Sequence, residues 1–139
     1  MTSLTLHFAD TLINAALKKG REMKLAPLTV AVLDAGGHLV ALKREDHSGI
    51  FRVEIASGKA YGALGMGFDS RELGERSQKM PVFFGALAAA SGGRMVPVAG
   101  GVLIRNADNH VIGAVGISGD TSDNDETCAI AGIAAAQAG

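Results

Sequence analysis

Moving a proton next to a carbonyl takes an acid/base pair and donors for the oxyanion that forms. Two stretches of this sequence carry such groups. Glu54 and Lys59 share the segment Glu54-Ile55-Ala56-Ser57-Gly58-Lys59-Ala60, and Asp125 and Glu126 close the acidic run that starts at Asp120. The backbone N–H groups of Gly116–Gly119 are candidate donors to an enolate. A lysine among small residues is one whose charge burial can tune, the alternative being a solvated or snorkelling side chain. The acidic run has a local reading too, because carboxylates stabilise the positive end of a helix; here Asp123 reads as the N-cap and Glu126 as its capping-box partner.

Other residues suit ligands or metals. Met95 offers a soft thioether, and His47, after Glu45-Asp46 in a polar loop, is the histidine with acidic neighbours. His7, His38 and His110 lie far apart with no HxH, HxxxH or HExxH spacing, and the single Cys128 excludes both an intramolecular disulfide and a CxxC zinc site. Gly58-Lys59 is not a phosphate loop, since Val53 stands where the leading glycine is required. Gly116-Ile117-Ser118-Gly119 is one residue short of a serine-hydrolase elbow.

The 139 residues, 47% of them hydrophobic, fit one domain over 1–139. A net charge of −1 supplies no basic field for nucleic acid. No window approaches the roughly 20 apolar residues of a membrane span, and Met1-Thr2-Ser3-Leu4-Thr5 is not the start of a secretion signal, so the expectation is a cytoplasmic protein with no membrane partner. Nineteen glycines, no tryptophan and a positive mean hydropathy suggest more apolar surface than one small core covers, hence a homo-oligomer.

The elements that must position these groups follow from periodicity and turn chemistry. Phe8, Ala9, Leu12, Ile13, Ala16 and Gly20 recur at helical spacing, which predicts a helix over 5–23 capped by Thr2 or Ser3. Residues 28–34 and 39–44 read as a hairpin around Ala35-Gly36-Gly37-His38. A helix over 50–67, a charged helix over 69–76 and a helical end to 80–90 follow, and 94–98 is extended. Val98–Arg105 and Val111–Asp120, joined by Asn106-Ala107-Asp108-Asn109-His110, predict a second hairpin at the centre of a sheet, before a final alanine-rich helix. The pattern is α+β.

Val30–Leu42, Glu54–Ala60, Pro97–Val102, Ile112–Gly119 and Asp125-Glu126 with Ala131-Gly132 together resemble the GlcG/HbpS family of haem-binding or haem-degrading proteins, also found as the C-terminal domain of PduO-type proteins. The resemblance covers nearly the whole chain. It implies a profilin-like fold with a five-stranded antiparallel sheet flanked by helices, assembly into homo-oligomers, and a haem or iron role for some members. It also implies that Met95 stands where haem-binding members carry an iron-coordinating threonine, and that Glu54 matches an acidic residue linked to iron binding. The resulting expectation is a small-molecule ligand, haem or a similar planar anion, in an apolar pocket walled by Met95, Val96 and Ala99-Gly100-Gly101, with Lys59 or Arg94 pairing a carboxylate. The alternatives are a catabolic isomerase or lyase using Lys59, Glu54, Asp125 and Glu126, and an accessory subunit with no ligand.

Overall fold

Turn residues set both hairpins of the computed structural model, which describes residues 1–139. Strand β1 (Thr29–Asp34) turns into β2 (Leu39–Arg44) where Gly37 takes a φ of 82° and the Asp34 carboxylate accepts the N–H groups of Gly36 and His38, each at 3.0 Å. Strand β3 (Gly101–Arg105) turns into β4 (Val111–Ser118) in the same manner: Asn106 Oδ1 accepts from Asp108 and His110, and Asn109 takes a φ of 65°. The hairpins join through β1 and β4 in a four-stranded antiparallel sheet of order β2-β1-β4-β3.

Two sequence expectations are corrected here. The second hairpin is only half central, since β4 is interior and β3 is an edge. No fifth strand forms. The Asp69 carboxylate accepts the Leu103 N–H at 2.9 Å and Ser70 Oγ accepts the Gly101 N–H at 2.7 Å, so the outer side of β3 is already partnered. The extended segment 94–98 runs along a helix instead, Val96 donating to the carbonyl of Gly58, while Pro97 has no N–H to offer a ladder.

The five helices are α1 (Leu6–Glu22), α2 (Arg52–Met66), α3 (Ser70–Lys79), α4 (Pro81–Ala90) and α5 (Ser122–Ala138). Four of them pack on the sheet, and α4 packs on α3. Thr5, not Thr2 or Ser3, caps α1, its hydroxyl accepting the Phe8 N–H at 3.1 Å from an extended backbone directly before the first helical residue. Thr121, not Asp123, caps α5 by accepting from Asn124; Asp123 and Glu126 turn outward to Arg71 and form no capping box.

Alternation along the strands sends Val30 and Val32, Val102 and Ile104, Val115 and Ile117 to one face, where α1 and α5 close over them with Phe8, Leu12, Ile13 and Cys128. The opposite face presents Leu33, Leu103 and Ala114 to Ala60 and Ala63 of α2. Helix α2 lies against the strands with almost no side-chain layer between, because a Cβ on Gly116 would overlap the carbonyl of Ala56. No helix is long and apolar enough to cross a membrane.

Candidate functional site

Close packing of α2 decides where its functional side chains go. Lys59 is on the inner face and 2% exposed. Its ammonium donates to the carbonyl of Ile117 at 2.8 Å and to Asp125 Oδ2 at 3.2 Å, and the other Asp125 oxygen accepts the Asp120 N–H at 3.0 Å. Asp125 is 1% exposed. Burial pushes the Lys59 ammonium below the usual lysine range and the Asp125 carboxyl above the usual carboxylate range, each opposed by the attraction of its partner. Gly100 and Gly101 lie directly over Lys59, so a Cβ on Gly100 would stand 2.8 Å from its nitrogen. The pair ties α2 to the first turn of α5 in a place with no room for a ligand.

The outer face of α2 behaves differently. Glu54, Ser57, Gly58 and Tyr61 follow one another at helical spacing and open onto a hollow of about 470 Å³. The β1–β2 turn forms its second wall, and Gly92-Gly93-Arg94, held with both glycines at positive φ, its third. A neighbouring hollow of about 320 Å³ is lined more by apolar groups, including Leu64, Met66, Leu87 and Met95. Gly37 and Tyr61 line both hollows. Tyr61 is the partition between them: its ring packs on Gly37, the Arg94 guanidinium stacks 4.0 Å above its centroid, and Arg94 Nη2 donates to the phenol oxygen.

The candidate residues therefore fall into separate places. Lys59 and Asp125 meet, but buried. Glu126 is on the surface with Arg71, and Glu54 is exposed in the larger hollow, so the four acid/base candidates share no cavity. Arg94 and Met95 are consecutive yet face different hollows, and Met95 and Glu54 line no hollow together. Val96 packs over Gly58, while Ala99, Gly100 and Gly101 are buried against the Lys59 side, so this loop walls no pocket. His47 sits exposed in the loop before α2 with a φ of 70°. A third hollow, about 620 Å³, lies at the far end between the start of α1 and the end of α5 and contains none of these residues.

Sequence spacing places Tyr61 only on an apolar helix face. The signal it gave is that it is the one tyrosine in a chain without tryptophan, one turn beyond Ser57 on the same stripe as Glu54. The donor set around it fits a haem: apolar side chains for the macrocycle, a guanidinium for carboxylates, and a phenol oxygen and a thioether as potential iron donors.

The chain is similar to several known proteins. A family model described as "Haem degrading protein HbpS-like" matches residues 4–134. An uncharacterised 15.0 kDa protein of the dhaT-dhaS intergenic region of Citrobacter freundii is 29% identical over 129 residues, which span 93% of this chain and 89% of that one. The crystal structure of Klebsiella pneumoniae protein ORFY, of family DUF336, superposes with a TM-score of 0.90 at 26% identity, covering 99% of this chain and 93% of that one. The structure of a PduOC–haem complex superposes with a TM-score of 0.86 at 28% identity, covering 96% and 94%.

Proposed function

This chain belongs to the HbpS-like family, and we propose that it binds haem, or a planar anionic molecule like it, in the paired hollows on either side of Tyr61. The observation that carries this reading is the Arg94–Tyr61 stack standing between two hollows that are both lined mostly by apolar surface, with a guanidinium at the edge of one of them. Arg94 would pair with a carboxylate, and Leu64, Leu87 and Met95 would cover the macrocycle face. When bound, haem would supply an iron centre for ligand exchange or electron transfer. The chain's part is to hold it, orient its acidic edge and exclude water from its apolar edge. The isomerase reading has less support, since Lys59 and Asp125 are sealed away from both hollows. A cytoplasmic setting fits the lone Cys128, which is buried and unpaired.

Titration of the purified protein with haemin, read at the Soret band beside an apolar-protein control, tests the proposal. The expected result is a saturable, stoichiometric shift that Arg94→Ala weakens by roughly 10-fold or more, the worth of a charge-assisted hydrogen bond. Uptake no greater than the control's overturns it.

Self-association is part of the same reading, with α4 as its contact surface. Helix α4 is apolar along its whole length, yet Phe84 is its one buried residue, while Val82 is 87% and Phe83 45% exposed. Sedimentation velocity should give a particle larger than the 14.2 kDa chain, and Val82→Glu should dissociate it. A wild-type monomer at high concentration rules this out.

A further inference from the structure

We infer that Tyr61 is the residue that coordinates the iron of a bound ferric haem, with Arg94 as its positioning partner; the inference rests on the haem-binding reading above. Few groups at the two hollows can reach a metal. No histidine or cysteine lines either one. Ser57 and Ser91 offer neutral hydroxyls, which give up their protons far less readily than a phenol, and Glu54 is exposed and lines only one of the two hollows. Met95 is a soft donor suited to reduced iron. Tyr61 alone is a hard, ionisable oxygen donor bordering both hollows, and ferric iron favours such an oxygen.

The surroundings of the oxygen support the assignment. Arg94 both stacks on the ring and donates to the phenol oxygen, so a cation is already in place where coordination would create negative charge. Gly37 touches the ring at its edge, where a Cβ would stand 3.0 Å from Cε1, and this fixes the ring plane between the hollows. In the coordination step the Fe–O bond forms, the phenol O–H bond breaks and the proton leaves to water. The iron remains ferric. The phenolate charge offsets that of the ferric porphyrin core, and the Arg94 N–H stays on the oxygen as a donor.

The test is resonance Raman and electron paramagnetic resonance of the ferric haem complex of the full chain, alongside Tyr61→Phe, Met95→Leu and Arg94→Gln, with circular dichroism confirming that each variant is folded. Wild type is expected to show iron–phenolate vibrational bands and a high-spin ferric signal. Tyr61→Phe keeps the ring packing on Gly37 and should lose the phenolate bands and shift the Soret maximum. Met95→Leu should leave the bands in place, and Arg94→Gln should keep them while weakening affinity by about 10-fold, as loss of an outer-shell partner does. Saturable haem uptake without phenolate bands, or a Tyr61→Phe complex spectrally identical to wild type, overturns the assignment and leaves haem binding intact. Uptake no greater than the apolar control removes both.

Discussion

The two faces of the sheet are built on opposite plans. Under α1 and α5 the strands present branched side chains, and Leu12, Ile13, Val30, Val32, Ile104 and Ile117 fill a thick layer with none of their surface exposed beyond 2%. Under α2 the layer is thin where Ala60, Ala63, Ala114 and Gly116 meet and the helix backbone rests almost on the strands, with Leu33 and Leu103 as its larger side chains. The thick face buries far more apolar area per residue, so it carries most of the hydrophobic stabilisation. The thin face gives up that area, and brings α2 close enough for Lys59 to reach Ile117 and Asp125 while its outer residues stay free for a ligand. Most of the hydrophobic stabilisation and the proposed binding site thus lie on opposite sides of one sheet.

That contrast can be broken from either side. The largest effect is expected on the thin face from Lys59→Met, which leaves Asp125 buried without its cation and should cost about 3–5 kcal/mol at neutral pH. Its sign with pH is set by Asp125. Burial already raises that carboxyl above its unfolded value near 3.8, and without Lys59 it rises further. A raised folded value means that stability is fully present below the unfolded value and is lost as pH rises through the folded one. The deficit should therefore shrink in acid, and Lys59→Met combined with Asp125→Asn should recover part of it at neutral pH. Urea melts from pH 4 to 8 measure both; a deficit that does not vary with pH means the pair is not held as an ion pair.

On the thick face, Leu12→Ala should cost about 2–5 kcal/mol with no pH dependence, because it leaves a dry cavity. If haem affinity falls in proportion, the division between stability and binding fails. Gly116→Ala tests how thin the other layer is: the new methyl meets the Ala56 carbonyl, and the helix must shift at a cost of about 1–3 kcal/mol or more. Here haem affinity should change as well, since Tyr61 moves with α2. The smallest effect is expected at Cys128 in the thick layer, whose thiol burial pushes up to about 11. It should stay unreactive towards an aromatic disulfide reagent at neutral pH until the protein unfolds, and fast labelling of the native state would show that this layer opens.

How much of this was readable in the chain depends on the range of the interaction. Helix and hairpin positions were legible because Phe8, Leu12 and Ala16 repeat at short spacing and Gly37 and Asn109 act on their own neighbours. Caps were ambiguous where several hydroxyl or acidic residues precede a helix, since only the chain path selects Thr5 over Ser3, or Thr121 over Asp123. The pairings that matter most were not legible. Lys59 meets Asp125 across 66 residues, and Arg94 meets Tyr61 across 33. The first is fixed by how closely α2 packs on the sheet, a quantity carried by Gly116 and Ala56 together and by neither alone, and the second by the segment 94–96 lying against Gly58 and Gly62 on the other side of the helix. The missing fifth strand has the same origin, for nothing local to Asp69 and Ser70 announces that their side chains will stand in for a neighbouring strand.

That substitution reaches beyond the single molecule. An open strand edge is a template on which another strand can pair. With Asp69 and Ser70 seated along β3, that side of the sheet offers a second copy no free ladder at Gly101 or Leu103. A self-complementary contact closes into a particle of fixed number, whereas a head-to-tail contact that does not close grows into a filament. Two short polar side chains at the start of α3 thus withdraw one edge of this sheet from the surfaces on which another strand could add.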